Sequence, residues 1–226
     1  GKTAEYGNLI KDLEADYTKI APYNKKVDYF SEIVQRNIEL LSIAYQVNLV
    51  IEAAEKEGDA FYQERKELVL NRLEGMYRNY SKVVDRDVFV ALMSKYKADM
   101  PKDVVPLVLQ KANVEKLAKT IYAKSVFTDF NKLKAALDRP IDEVSKKLKK
   151  DPGFALVHAL TNAYRTNGLE PYRAIQNDIA ATQRIYMKAL VELSPNEDRI
   201  FPNANSTLRV TYGKVNGYSP ADAIYY

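Results

Sequence analysis

Cysteine is absent from this 226-residue sequence, which excludes disulfide bonds, thiol nucleophiles and thiolate metal sites. None of its eight glycines belongs to a Gly-x-Gly-x-x-Gly or Walker stretch, so no phosphate-binding loop is indicated. Only one histidine is present, so a metal centre would have to rest on scattered carboxylates, and we expect no metal and no cofactor. No apolar run approaches the roughly 20 residues that cross a bilayer, and we therefore expect no membrane span.

The sequence also has little excess of charge of either sign. The 34 lysines and arginines are interspersed with 30 acidic residues, and a net charge of +4 gives no case for nucleic-acid binding. One strong basic run exists, Lys146–Lys150. We interpret it as an exposed helix C-terminus, where cations offset the helix dipole, and a contact with an anionic partner is the alternative.

Apolar residues recur at helical spacing up to residue 194. A first segment from Leu9 to Ile20 is predicted to close at Pro22. Two long helices are predicted next, from Asn24 to Glu57 and from Asp59 to about Tyr80, antiparallel across Gly58. We expect this pair to form an arm that projects from the rest of the domain.

Shorter helices follow, each marked by a capping residue or a proline. We predict that helices start at Asp85, Thr128, Pro140 and Asp151-Pro152. Pro101 is predicted to break the chain of helices, and a helix over 104–122 is predicted to bend at Pro106. A helix is predicted to end at Gly168, and a last long helix is predicted over 170–193. The sequence thus predicts an all-α, multi-helix domain over residues 1–194.

The character of the chain changes after Ser194. Ser206–Tyr212 alternates polar and apolar residues and is rich in β-branched side chains, which is typical of a strand. We therefore predict an extended or β-like tail over 195–226, either as a hairpin that turns near Gly213, paired with a neighbouring molecule, or laid on the helical body. Because the sequence opens on Gly1 rather than Met and closes on an apolar stretch, 223–226, we expect it to be one part of a longer protein.

Candidate catalytic residues are few. His158 lies in a mostly apolar helix, and we interpret it as a packed or hydrogen-bonded core residue because no nucleophile motif such as Gly-x-Ser-x-Gly accompanies it. The acidic residues of the long helices are predicted to be solvated; these are Glu52, Glu55, Glu57, Glu64 and Glu67. We assign no catalytic, cofactor-binding or metal-binding residue to this sequence.

Two further patterns have an ordinary interpretation. The 17 tyrosines are expected to pack with their hydroxyls at the surface, and a peptide-binding surface is the alternative. Asn205-Ser206-Thr207 fits a glycosylation sequon, which is a common chance match.

One stretch is more specific than these patterns. Residues 201–215, Phe-Pro-Asn-Ala-Asn-Ser-Thr-Leu-Arg-Val-Thr-Tyr-Gly-Lys-Val, followed by Gly-Tyr-Ser-Pro at 217–220, closely resemble a segment of the bacterial dipeptidyl-peptidase 7 and 11 family. Asn203 departs from the acidic residue more usual there. The upstream chain, including Tyr6-Gly7 and Asp16-Tyr17, resembles the family's helical region more loosely.

The resemblance implies a serine exopeptidase that releases dipeptides from peptide N-termini. In this family a helical domain is inserted into a chymotrypsin-like double β-barrel and caps the cleft. The family's catalytic His and Asp precede this region and its Ser follows within Gly-Asn-Ser-Gly; none of these motifs occurs here, so His158 takes no catalytic role.

The resemblance further implies that this chain is inactive alone. Its partners would be a peptide substrate and the missing barrel domain, and its location would be the periplasm or the cell surface. The alternative is a free-standing helical module that binds a protein or an anionic partner through its arm and Lys146–Lys150.

Overall fold

The computed structural model describes residues 6–194, 206, 208, 210–218 and 221–222, and helix follows helix through the first of these ranges. The α-helices are α1 Leu9–Tyr29, α2 Glu39–Glu57, α3 Asp59–Tyr77, α4 Lys82–Asp99, α5 Leu107–Lys111, α6 Val114–Lys124, α7 Phe130–Leu137, α8 Ile141–Leu148, α9 Pro152–Tyr164 and α10 Glu170–Leu193. Two π-helical segments, Phe30–Asn37 and Arg165–Leu169, follow α1 and precede α10. The predicted all-α, multi-helix fold is confirmed.

The first and last helices form an antiparallel pair, which we call the arm. Near one end the Tyr6 hydroxyl donates to Glu192 Oε2 at 2.9 Å, and farther along Gln183 Nε2 donates to the Tyr17 hydroxyl at 2.9 Å. A small apolar cluster at this end lies apart from the main core. The predicted arm was therefore assigned to the wrong helices.

Helices α2 and α3 do form the predicted antiparallel pair across Gly58, whose φ of 90° favours glycine. This pair does not project, because α2 lies at the centre of the fold. Its buried residues are Leu40, Leu41, Ser42, Ile43, Ala44, Val47, Asn48, Ile51 and Ala54. Helices α3, α8 and α9 pack around it.

Two predicted helix boundaries near the start of the chain were wrong. Pro22 lies inside α1 rather than at its end, since burial of Ile20 against the rest of the fold outweighs the lost backbone hydrogen bond. The predicted continuous helix over 24–57 is interrupted at Ile38, which is extended with φ −101° and ψ 102°. Glu39 then opens α2, and an acidic first turn of this kind is a helix-start signal.

Several cap predictions were displaced. Ser81, not Asp85, caps α4, and Asp129, not Thr128, caps α7. Asp85 instead caps a different helix: its carboxylate accepts from the amides of Glu39 at 2.7 Å and Leu40 at 3.0 Å. The Asp151-Pro152 start of α9 is confirmed, with the Asp151 side chain accepting from the amides of Gly153 and Phe154.

The helix predicted over 104–122 is split into α5 and α6, with Asn113 capping α6. Gly168 does not end a helix. It is buried within the second π segment, and the chain stays helical from α9 into α10. The break at Pro101 is confirmed, since α4 ends at Asp99.

The tail is described only in part. Residues 208 and 210–218 lie outside helix and strand, and Leu208, Val210, Tyr212 and Val215 are exposed there. The strand predicted over Ser206–Tyr212 is thus not formed in its described residues. Residues 201–205 of the stretch that resembles the dipeptidyl-peptidase family, which include the sequon residue Asn205, lie outside the described residues. The division into 1–194 and 195–226 stays a prediction.

Candidate functional site

The first π segment, Phe30–Asn37, shapes a recess on the surface beside the arm. π-Helical turns widen the backbone and are common at functional sites. One side of this segment is anchored, because Phe30, Ile33 and Val34 are buried in the main core. The helical run then stops at the extended residue Ile38, which leaves Asn37 at the end of the recess.

The recess is a cavity of about 280 Å³ between this segment and α4, which we call the π pocket. It is lined by Asp28, Tyr29, Glu32, Ile33, Asn37, Leu92 and Lys95. The lining combines two carboxylates and one side-chain amide with apolar walls from Ile33 and Leu92.

Hydrogen bonds hold one wall of the π pocket. Asn37 Nδ2 donates to the backbone carbonyl of Glu32 at 2.8 Å, and the Glu32 carboxylate pairs with Arg36 at 2.8 Å. In the part of the chain that the structure describes, Asp28 has neither a hydrogen bond nor an ion pair. Asp28 therefore offers the carboxylate that is free to receive a ligand.

On the opposite wall of the π pocket, the positive charge of Lys95 is offset by Asp99. Asp99 Oδ2 accepts from Lys95 Nζ at 2.7 Å and from the Tyr29 hydroxyl at 2.7 Å. The hydrogen bond from Lys95, followed by that from Tyr29, holds the pKa of Asp99 below its usual value, and the bond to Asp99 raises the pKa of Tyr29. Lys95 is thus paired with Asp99, which offsets its charge at this edge of the π pocket.

The π pocket is suited to bind a primary ammonium group. Ammonium is a compact donor of three hydrogen bonds, and carboxylate and amide oxygens are its natural acceptors. The sequence does not predict this site, because the helical run breaks at Ile38 although residues 24–57 contain no proline or glycine that would mark a helix boundary.

His158 lies on the surface between α2 and α9, away from the π pocket. Its Nδ1 contacts Asn48 Oδ1 at 2.9 Å, its Nε2 contacts Asn162 Nδ2 at 3.0 Å, and its ring stacks on Phe154 at 6.2 Å between centroids. It is hydrogen-bonded, as predicted, but half-exposed rather than part of the core. The assignment of no catalytic role to His158 stays a prediction.

The prediction of solvated acids was wrong for Glu52, whereas Glu55 is exposed, as predicted, although it is hydrogen-bonded. Glu52 is half-buried and pairs with Arg165 at 2.6 Å. Glu55 accepts from Ser145 Oγ and from Lys149 Nζ, the latter at 2.7 Å. Glu57, Glu64 and Glu67 are exposed, as predicted.

The basic run Lys146–Lys150 fits the interpretation as a helix C-terminus. Its lysines are exposed around the end of α8, and Lys149 is engaged with Glu55. Among the described residues, no group of histidines and carboxylates converges as a metal site would need. Within 6–194, no helix combines the length and apolar character that crossing a bilayer takes.

The tyrosine prediction was wrong for the buried Tyr62, Tyr96 and Tyr122 and for the partly buried Tyr77. The hydroxyls of Tyr62, Tyr96 and Tyr77 donate to the backbone carbonyls of Leu137, Val104 and Phe127, respectively. The Tyr122 hydroxyl donates to Asp85 Oδ2 at 2.6 Å. These hydroxyls satisfy backbone and carboxylate acceptors inside the fold instead of reaching the surface.

Comparison with known proteins agrees with the resemblance seen in the sequence. The chain is 43% identical over 226 residues to an Asp/Glu-specific dipeptidyl-peptidase of Flavobacterium psychrophilum, covering 100% of this chain and 32% of that protein. It is 29% identical over 229 residues to a dipeptidyl-peptidase 7 of Porphyromonas endodontalis, covering 98% of this chain and 26% of that protein. The chain therefore spans between about a quarter and a third of the length of these curated relatives.

A solved structure shares the fold. The crystal structure of Porphyromonas endodontalis DPP11 in complex with the dipeptide Arg-Glu matches with a TM-score of 0.54 at 19% identity, covering 100% of this chain and 34% of that chain. The model of one family, peptidase S46, matches residues 1–226. Because this match takes in every residue of the sequence, the chain belongs to the peptidase S46 family.

Proposed function

We propose that this chain is the helical domain of a serine-type dipeptidyl peptidase and that it caps the cleft, so that only dipeptides at free peptide N-termini are released. In this proposal the catalytic triad is supplied by the other two thirds of the full-length enzyme. The chain alone is then inactive towards dipeptidyl substrates. Its membership of the peptidase S46 family and the names of its relatives support this function.

The observation that carries the proposal is the arrangement of oxygens in the π pocket. Asp28 supplies one carboxylate, Glu32 supplies a second one that is paired with Arg36, and Asn37 supplies an amide, around a cavity of about 280 Å³. We assign this pocket to the free N-terminal ammonium of the peptide. An acceptor site at a fixed distance from the scissile bond sets how many residues lie between them, which is the geometric requirement for dipeptide release.

The test uses the full-length enzyme and chromogenic dipeptidyl substrates. In the Asp28→Asn variant an ammonium loses its charged acceptor, so we expect KM to rise about tenfold with little change in kcat, since a charge-assisted hydrogen bond contributes about 1.5–3 kcal/mol. The matched control is Glu67→Gln, which removes an exposed carboxylate of α3 and is expected to leave KM unchanged.

Two outcomes separate the assignment of the pocket from the wider function. An unchanged KM in Asp28→Asn would remove the π pocket from substrate binding. Cleavage of N-acetylated substrates by the wild-type enzyme would overturn the restriction to free N-termini altogether.

The same proposal extends to substrate preference and location. A preference for acidic side chains is supported by the name of the Flavobacterium psychrophilum relative, an Asp/Glu-specific dipeptidyl-peptidase. A periplasmic or cell-surface location rests on the family resemblance alone, and fractionation of cells that express the full-length protein tests it.

A further inference from the structure

A second recess lies between α4 and α6, on residues that the π pocket does not use. It is a cavity of about 260 Å³, which we call the cationic groove. It is lined by Lys82, Val83, Arg86, Lys119, Tyr122 and Ala123. Three of these six side chains are cationic, and none is a carboxylate.

These cations work against the local stability of α4. Lys82 is the first residue of that helix, where the positive end of the helix dipole disfavours a cation. Arg86 follows four residues later, so two like charges are neighbours one turn apart on the helix surface, an arrangement that destabilises an isolated helix. Side chains that break local rules in this way are expected at functional surfaces.

The charge of the groove is only partly compensated. Arg86 pairs with its neighbour Asp87 at 2.9 Å. Over the range 6–194 and the described tail residues, Lys82 and Lys119 have neither a hydrogen bond nor an ion pair. Asp85 lies beneath the groove, but its oxygens accept from Glu39, Leu40 and Tyr122, so it does not reach these lysines.

The shape of the groove fits an extended chain better than a small ion. The exposed fractions of Val83 and Val84 are 61% and 59%, which places apolar surface directly beside the cations. The recess continues along the same two helices into a neighbouring cavity of about 380 Å³. That second cavity shares Arg86 and Lys119 and adds Asp87, Val90, Glu115 and Ala118.

We propose that the cationic groove binds acidic peptides, with Lys82 and Lys119 receiving aspartate or glutamate side chains. The assignment of this peptide as substrate rests on the proposed peptidase function. The groove would then gather acidic peptides at the surface of the helical domain, through residues distinct from those of the π pocket.

The experiment measures binding of a peptide to this chain by fluorescence anisotropy. The probe is a glutamate-rich peptide that is N-acetylated, so that no free ammonium can occupy the π pocket, and labelled at its C-terminus. We expect the Lys82→Gln/Lys119→Gln variant to bind about five- to tenfold more weakly than wild type, because two exposed ion pairs are lost. Binding should also weaken as salt is added.

The matched control is Lys146→Gln/Lys147→Gln, which removes the same charge from exposed positions on α8. It is expected to bind the probe as wild type does. An equal loss in this control, or no loss in Lys82→Gln/Lys119→Gln, would overturn the proposal. So would equal binding of a peptide with glutamine in place of glutamate, or displacement of the probe by inorganic phosphate at lower concentrations than by unlabelled peptide.

This test does not depend on the π pocket. A neutral peptide with a free amine reports on the π pocket through Asp28→Asn, whereas the acetylated probe reports on the cationic groove alone. Failure of one assignment therefore leaves the other measurable.

Discussion

The ammonium of Lys26 donates to the backbone carbonyl of Asn167 at 2.9 Å, which joins α1 to the second π segment. The same ammonium pairs with Asp103 at 2.7 Å, and Asn167 Nδ2 donates to the Asp103 carbonyl at 2.7 Å. Lys26 is buried, although lysine is rarely buried unless paired. These contacts fix the arm to the body of the domain where both π segments lie.

Replacing Lys26 by methionine should lower the free energy of unfolding by about 1–2 kcal/mol, since the Asn167 carbonyl loses its donor while the half-exposed Asp103 can rehydrate. Urea denaturation followed by circular dichroism measures this change. Lys25→Met is the control, because Lys25 is exposed and makes a single bond of 3.1 Å to the Asp99 carbonyl. A Lys26→Met variant as stable as Lys25→Met would contradict this role.

The Asp85 carboxylate joins the start of α2 to α4 and α6. Its removal in Asp85→Ala leaves the amides of Glu39 and Leu40 without their acceptor, while the Tyr122 hydroxyl keeps only the Asp85 backbone carbonyl, at 3.0 Å. We expect a loss of about 3–5 kcal/mol, because buried donors left unsatisfied cost about 1–3 kcal/mol each and relaxation recovers part of that cost. Thermal unfolding tests this against Asp87→Ala, which removes an exposed carboxylate that pairs with Arg86 and should cost under about 1 kcal/mol.

Local sequence signals predicted the fold class well but not the connections between helices. Gly58 and Asp151-Pro152 mark helix boundaries through local backbone preferences: glycine adopts a positive φ, aspartate caps the first amides of a helix, and proline fits the first turn. Both boundaries were confirmed. Asp85 carries the same chemistry, yet it caps α2 from a distance of 45 residues along the chain. Only the tertiary fold decides which helix such a residue serves.

The candidate site was less predictable for a related reason. Neither π segment carries a proline or glycine break at its start, and Gly168 suggested a helix end where the chain stays helical. Gly168 is needed for close approach instead, since a Cβ there would lie 3.2 Å from Tyr164 Cδ2 and 3.5 Å from Lys26 Cβ. The π segments and the role of Gly168 depend on packing between segments that are distant in the chain. The hydrophobic periodicity of the sequence carries no information about such packing.

This close approach predicts different results for alanine substitutions at two glycines within helical segments, Gly75 and Gly168. Gly75→Ala should stabilise the protein by about 0.5–1 kcal/mol, because alanine favours helix and a Cβ there meets nothing within 4 Å. Gly168→Ala should give no such gain, since the Tyr164 ring is held by stacking on Phe30 at 3.9 Å between centroids. Denaturant unfolding of the two variants compares them directly, and equal stabilisation would show that the contact at Gly168 yields freely.

Glu55 gives a prediction for pH. The hydrogen bond from Lys149, followed by that from Ser145, holds the pKa of the Glu55 carboxyl below its usual value. A depressed pKa in the folded state contributes stability that is present above the unfolded pKa of about 4.3 and is lost as pH falls through the folded pKa. Since Glu55 is more than a third exposed, we expect Glu55→Gln to cost only about 0.5 kcal/mol at pH 7.

Urea unfolding of wild type and Glu55→Gln, measured from pH 7 down through the pKa of Glu55, gives the difference in the free energy of unfolding, which should shrink towards zero in acid. Glu57→Gln serves as the control at the exposed end of the same helix, and a difference of the same size and pH dependence in that variant would rule out a specific contribution from the Lys149 pair.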